Sequence, residues 1–178
     1  MHIVAGLGNH GNEYKNTRHN VGFMIIDSLI GNHGNGKSVH KFSGILTQGS
    51  INNLPVIFIK PQTYMNLSGI CIGQVCNFYK ITPKDVIVIH DEIDIPFLQI
   101  KTKIGGGNAG HNGLKSIDSV IGKDYHRIRI GIDRPQIKEM VADYVLSSFS
   151  SDEVIKINDL QLKIEEIISK IIKTIDVL

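Results

Sequence analysis

Val86-Ile87-Val88-Ile89-His90-Asp91-Glu92 sets four consecutive apolar residues in front of three polar, titratable ones. An unbroken apolar run of strand length suits a strand in the middle of an α/β sheet, covered on both faces by helices. Pro83 closes off whatever precedes it. His90, Asp91 and Glu92 then fall at the C-terminal end of that strand, the edge at which open α/β sheets bind ligands.

Upstream, His2 to Leu7 reads as a short strand that runs into Gly6-Leu7-Gly8-Asn9-His10-Gly11. The letters match G-x-G-x-x-G, but a dinucleotide site needs a helix opening at those glycines and an acid at the end of the next strand. Residues 12–17 read as loop and Asp27 lies inside a helical run, so a nicotinamide site is rejected. The spacing of Val21, Met24, Ile25 and Leu29 predicts a helix beginning near His19-Asn20, ended by the Gly-rich loop from Gly31 to Lys37. Strands at 43–51 and 56–60 form a hairpin through Asn52-Asn53-Leu54-Pro55. Tyr64-Met65-Asn66 leads into a helix with Leu67, Cys71, Val75 and Phe78 on one stripe, capped by Asn66 or Ser68.

Downstream, Leu98 to Lys103 alternates like an edge strand and precedes Ile104 to Lys115, a twelve-residue stretch with five glycines. Glycine lets backbone N–H groups approach a ligand without a Cβ in the way. The loop delivers His111 and Asn112 to the start of a helix marked by Leu114, Ile117, Val120 and Ile121, a place that stabilises anions. His126 to Ile132 alternates Arg127 and Arg129 outward with isoleucines inward, and residues 136–149 read as a short helix. Ser150 to Glu153 reads as a capping box opening a last helix, with Val154, Ile157, Leu160, Ile164, Ile167, Ile168, Ile171 and Ile175 as its buried stripe. The expected architecture is α/β: a single domain, 1–178, with a twisted mixed β-sheet and helices on both faces.

At 178 residues the chain can bury a substantial core, and with 42% hydrophobic residues and no long apolar run it offers no membrane span. The N-terminus goes straight into a strand, so no signal peptide is expected. Cys71 and Cys76, spaced i, i+5 on a helix, read as reduced thiols of the cytoplasm. Net charge is only +2, yet residues 99–138 hold eight Lys/Arg against three Asp, which points to a phosphate-bearing partner.

Asn9, His19, Asn66, Asp91, His111 and Asn112 collect at strand ends and helix starts. A histidine beside an aspartate is the minimum for general-base work, and asparagine amides can stabilise an oxyanion. With no G-x-S-x-G elbow and no cysteine in a loop, water is the expected nucleophile. Each residue alone also has a plain reading: a capping or surface histidine, a turn aspartate, asparagine caps, a core Met65, a solvated Lys101/Lys103 face. Two other functions stand beside hydrolysis by a histidine base. One is a metal-dependent hydrolase using His90, Asp91, Asp94 and His111, for which no familiar ligand spacing is present. The other is a non-catalytic RNA-binding domain, which would lack the aromatic stacking residues such modules use.

Taken together, Gly6 to Gly11 with Tyr14-x-x-Thr17-Arg18-His19-Asn20, Pro61 to Gly69, His90 to Pro96, Gly105 to Lys115 and His126 to Ile132 resemble the bacterial peptidyl-tRNA hydrolase family, in the family's order and over nearly the whole chain. The resemblance implies a cytoplasmic, monomeric esterase without metal or cofactor that cuts the ester between a peptide and the terminal ribose of tRNA. It implies that His19 activates water, that Asp91 orients it, and that Asn9, Asn66 and Asn112 position the peptide and the scissile carbonyl. His111 and Met65 correspond to substrate-channel residues, with Tyr14 beside the site. Lys101, Lys103 and Arg129 correspond to contacts for tRNA phosphates. The chain departs from the family at His10, where proline is usual and would fix φ, so Asn9 is expected to be held less rigidly. The C-terminus also lacks a basic tail, which removes the expectation of tRNA contacts from that end.

Overall fold

The computed structural model describes residues 1–177. Its strands are β1 (His2–Gly6), β2 (Val39–Lys41), β3 (Gly44–Ile51), β4 (Leu54–Pro61), β5 (Val86–Glu92), β6 (Ile100–Ile104) and β7 (His126–Gly131). Its helices are α1 (Val21–His33), α2 (Ser68–Tyr79), α3 (Asn112–Ile121), α4 (Val141–Leu146), α5 (Ser151–Asn158) and α6 (Gln161–Val177). The strands form one seven-stranded sheet in the order β2-β3-β4-β1-β5-β7-β6. β4, β1, β5 and β7 run parallel, while β2, β3 and β6 add antiparallel pairings at the two sides.

β5 shows why its run is unbroken. Val86 and Val88 join one core cluster with Ile3, Ala5, Ile57 and Ile59, roofed by α2 and α3. Ile87 and Ile89 join the other with Val4, Ile128 and Ile130, covered by α1, α5 and α6. Side chains alternate along a strand, so one apolar run feeds two cores. From β1 the chain winds to β4 on one side, then crosses to β5 on the other. The gap between β1 and β5 is thus the sheet's topological switch point, and the loops there build the site.

Several expectations need correction. α1 buries Val21, Ile25, Ile26 and Leu29 and runs on through the exposed Gly31 to His33, since a lone glycine weakens a helix without ending it. The hairpin turn is only Asn52-Asn53, with φ of 49° and 65°. Both central residues are left-handed, as the tight turn with the right twist requires, so Leu54 and Pro55 belong to the strand. The three-residue edge strand β2, exposed throughout, had no hydrophobic signal. α2 buries Ser68, Gly69, Cys71, Ile72, Val75 and Cys76, with Leu67 and Phe78 exposed and no side-chain cap. A Cβ at Gly69 would lie 2.3 Å from the Ser116 carbonyl oxygen, so α2 and α3 meet backbone to backbone. The last helix is two, broken at Asp159-Leu160, and the capping box is formed as expected. Its innermost positions are Ile157, Ile164, Ile168 and Ile172. Arg127 does not face outward: it is 1% exposed. Both cysteines are free and buried, burial pushing Cys71 up to about 12 and Cys76 to about 11. Among the described residues, no helix is long and apolar enough to cross a membrane.

Candidate active site

His19 sits in the 3₁₀ turn Arg18–Asn20 that leads from the β1 loop into α1. That turn is seated by close backbone packing: a Cβ at Gly22 would lie 2.4 Å from the Ile89 carbonyl oxygen and 2.5 Å from the Leu7 nitrogen. Asp91 follows Ile89 on the same face of β5. His19 Nδ1 therefore meets both Asp91 oxygens, at 2.9 and 3.0 Å. With Nδ1–H donating to the carboxylate, Nε2 is left with its lone pair, and His19 lines an open cleft of about 410 Å³.

His111 approaches Asp91 from the other side, its Nε2 2.9 Å from Oδ1. Its other nitrogen is the cap of α3, accepting from the backbone N–H of Gly113 at 3.1 Å and of Leu114 at 3.4 Å. A ring nitrogen that accepts carries no proton, so Nε2–H is the donor to Asp91. The carboxylate is thus held by two N–H donors although it is buried. Burial opposes its charge, but the two imidazoles and their hydrogen bonds outweigh this and hold the carboxyl well below its ordinary range. Burial likewise works against protonation of His19, but the charge and hydrogen bond of Asp91 prevail and raise its pKa.

His90, on the opposite face of β5, is a structural histidine. Its Nδ1–H donates to the Asp91 carbonyl at 2.7 Å and its ring lies edge-on to His111. Burial, helped by His111, pushes it down to about 3, so it stays neutral.

The cleft brings together His19, Asp91, His111 and Asn112, closed on its outer side by Val141, Ala142 and Val145 of α4. Asn112 is exposed at the first turn of α3. Asn9 is not part of that lining; it faces a neighbouring groove and is locked from three directions. Its backbone N–H donates to Asn20 Oδ1 and its carbonyl accepts from Asn20 Nδ2, both at 2.8 Å, while its side-chain oxygen accepts the Met65 N–H at 2.7 Å. The looser Asn9 expected from His10 is not what the structure has, because Asn20 supplies the restraint. His10 stacks on Tyr64, ring centroids 4.7 Å apart, and Tyr14 meets Tyr64 edge-on at 6.5 Å. Met65 is buried in the core against Gly113, and Asn66 is exposed beside it. Sequence reasoning missed Asn20, Asp118 and Asn108. The last two shape the Gly loop, with Arg127 Nη1 donating to the Gly107 carbonyl at 2.8 Å and Nη2 pairing with Asp118 Oδ1 at 3.3 Å. Asn108 Nδ2 donates to Asp118, and the Asn108 carbonyl accepts the His111 N–H at 2.9 Å.

Lys101 pairs in register with Arg129, and Lys103 with Arg127, so these four side chains share one face of the β6–β7 ladder. Lys101 and Lys103 are exposed; Arg129 is half-buried near Glu92 at 4.0 Å. The set His90, Asp91, Asp94 and His111 is not assembled, because Asp94 is exposed and pairs with Arg134. Among the described residues, His19, Asp91 and His111 offer ligand atoms within 4.8 Å of one another. That trio is a poor metal cage, since the cap on Nδ1 keeps a proton on the His111 nitrogen a metal would need.

Three comparisons place the chain among known proteins. The family model for peptidyl-tRNA hydrolase matches residues 3–177. The Pelagibacter ubique peptidyl-tRNA hydrolase is 49% identical over 157 residues, 88% of this chain and 84% of that protein. The Rickettsia bellii peptidyl-tRNA hydrolase is 46% identical over 97% of this chain and 100% of its own. The crystal structure of the Acinetobacter baumannii peptidyl-tRNA hydrolase superposes with a TM-score of 0.89 at 36% identity, covering 98% of this chain and 89% of that one. With a match from the first strand to the last helix, and with near-complete overlap in sequence and structure, the chain belongs to the peptidyl-tRNA hydrolase family.

Proposed function

We propose that this protein hydrolyses the ester joining a peptide to the terminal ribose of tRNA, releasing free tRNA and peptide, with His19 as the general base. His19 Nε2 takes a proton from a water in the cleft as that water attacks the ester carbonyl. Asp91 holds the imidazole in the reactive tautomer and stabilises the imidazolium. The amide of Asn112, with the N-terminus of α3, offsets the charge on the tetrahedral oxyanion. The proton on His19 then passes to the departing ribose oxygen, and the C–O bond breaks. Asn9, in the groove beside the cleft, and Asn66 position the peptide; Tyr14 and His111 flank its path, and Met65, buried beneath, shapes it through its N–H on Asn9. Lys101, Lys103 and Arg129 hold tRNA phosphates, contacts that orient the substrate without reading its sequence. On this reading the enzyme works as a monomer in the cytoplasm and needs no metal or cofactor.

The observation that carries this reading is the His19–Asp91 pair, both carboxylate oxygens within 3.0 Å of Nδ1. Incubation with N-acetyl-aminoacyl-tRNA and with unblocked aminoacyl-tRNA, each with and without EDTA, tests it. Cleavage of the blocked ester, indifferent to chelator and reduced roughly 10²–10⁴-fold in kcat by His19→Ala, is expected for general-base loss. EDTA-sensitive cleavage, or binding without cleavage, would overturn it.

A further inference from the structure

Arg18 stands beside the catalytic histidine, yet its side chain turns away from Asp91 into the segment that follows α4. Nη1 donates to the Ser148 carbonyl at 3.0 Å and Nη2 to Glu153 Oε1 at 3.2 Å. The guanidinium carbon lies over two rings, 5.0 Å from the centroid of Tyr144 and 4.8 Å from that of Phe149. The backbone repeats the attachment: Arg18 N–H donates to the Ser147 carbonyl at 3.0 Å, and Phe149 N–H to the Asn16 carbonyl at 2.8 Å. Glu153 is itself fixed, since its other oxygen accepts the Ser150 N–H at 2.7 Å in the capping box of α5. Tyr144 anchors the far side through its hydroxyl on the Ile132 carbonyl.

α4 is only six residues long and buries no residue fully, with Tyr144 and Val145 its only packing against the core. It is nevertheless the outer wall of the cleft, through Val141, Ala142 and Val145. We infer that Arg18 is a positioning residue that clamps this wall to the turn carrying His19 and so sets the width of the substrate cleft. The planar fork suits the task, because it bonds a carbonyl and a carboxylate while it packs over aromatic rings. Glu153 neutralises the cation, so the clamp sits beside the base without opposing its protonation. This inference rests on the hydrolase reading for its kinetic part alone.

Arg18→Met and Arg18→Lys test it. Loss of a charge-assisted bond from a half-buried place should raise KM for N-acetyl-aminoacyl-tRNA roughly tenfold. kcat should stay within about twofold and the acidic limb of its pH profile should not move, because the wall acts on substrate binding while Asp91 governs the base. Lysine should recover only part of the loss. Hydrogen exchange without substrate should quicken in residues 141–149 of the variants, a result that stands whatever the enzyme cleaves. Glu153→Gln, which loosens the clamp from its other end, should move KM the same way by a smaller factor, and serves if the Arg18 variants do not fold. An unchanged KM and unchanged exchange in folded variants would overturn the clamp. A fall in kcat with a shifted acidic limb at constant KM would overturn it too, by making Arg18 a partner of the base. A wild-type protein that leaves the ester intact would sink the hydrolase reading, with the exchange result still standing on its own.

Discussion

Asn20 and Asn9 grip each other by two reciprocal hydrogen bonds of 2.8 Å, the side-chain amide of one spanning the backbone N–H and carbonyl of the other. Both are buried, so neither bond can be replaced by water without rearrangement. Asn20→Ala should therefore release the Asn9 loop and lower kcat roughly tenfold, with tRNA affinity kept, since one buried, charge-free pair of bonds is worth about that factor. His10→Pro should leave kcat within about twofold, because the loop is already restrained and proline would add only a φ it does not need. Steady-state kinetics on the two variants checks this; a large gain from proline would mean that Asn20 does not suffice.

The pH profile distinguishes Asp91 from Asn112. The folded-state pKa of His19 is raised above 6.5, so kcat should fall on acidification with a midpoint above that value. Asp91→Asn should cut kcat severely and move the midpoint down, because the charge favouring imidazolium is gone. The asparagine oxygen can stand where Oδ1 receives both histidines, but its NH2 then faces His19 Nδ1 and favours the wrong tautomer. Asn112→Asp should also slow turnover, by repelling the oxyanion, with the midpoint unchanged or raised. A midpoint unmoved by Asp91→Asn would mean the pair does not govern the base.

Lys101→Ala and Lys103→Ala should raise KM for whole tRNA more than they alter kcat, and their effect should shrink at high salt and on a short substrate lacking the tRNA body. Arg129→Ala should follow the same pattern more weakly, because Arg129 is half-buried and already faces Glu92. An equal penalty on short and full-length substrates would place these residues at the chemistry instead.

His90 makes the fold acid-sensitive. Its folded-state pKa is about 3 against 6.5 ordinarily, so between those values the unfolded chain binds a proton that the folded one does not. Stability should fall as pH drops through this window, with a slope approaching about 1.4 kcal/mol per pH unit from this residue. His19 acts on the other side: its raised pKa stabilises the fold fully below 6.5 and is lost as pH rises through its folded value. The depressed carboxyl of Asp91 stabilises the fold fully above its ordinary 3.8 and loses this only as pH falls below that value, and His126, lowered by partial burial, adds a slope of the same sign as His90. His90→Asn keeps a donor for the Asp91 carbonyl without a titrating ring. Urea unfolding between pH 4 and 6.5 should thus show a flatter pH dependence in the variant; identical slopes would refute the assignment.

The sheet was readable wherever a segment's own pattern states its cover. β5 is apolar on both faces because two cores claim it, and the capping box at Ser150 names its helix start in four letters. Arg127 misled because alternation says which face a side chain takes, not whether a loop comes back over that face; the carbonyls of Gly106 and Gly107 do. The α2 stripe was out of phase because Leu67 belongs to the preceding 3₁₀ turn, and the buried face is made of small residues that carry little hydrophobic signal. In the site, His19, Asp91, His111 and Asn112 were legible as polar groups at strand ends and helix starts. Asn20 was not, since its partner lies eleven residues back across a loop. Nor was the cap made by His111, since imidazole is outside the usual capping residues.

The placement of α6 ties the seat of the site to a distant stretch of the chain. Ile164, Ile168 and Ile172, near the very end of the chain, complete the core under the face of the sheet that carries Asp91 and the helix behind His19. A chain in which these residues are not packed leaves that face without its cover, and His19 and Asp91 without a rigid seat. Loosening α6 should therefore loosen the His19–Asp91 pair from behind, without touching either residue.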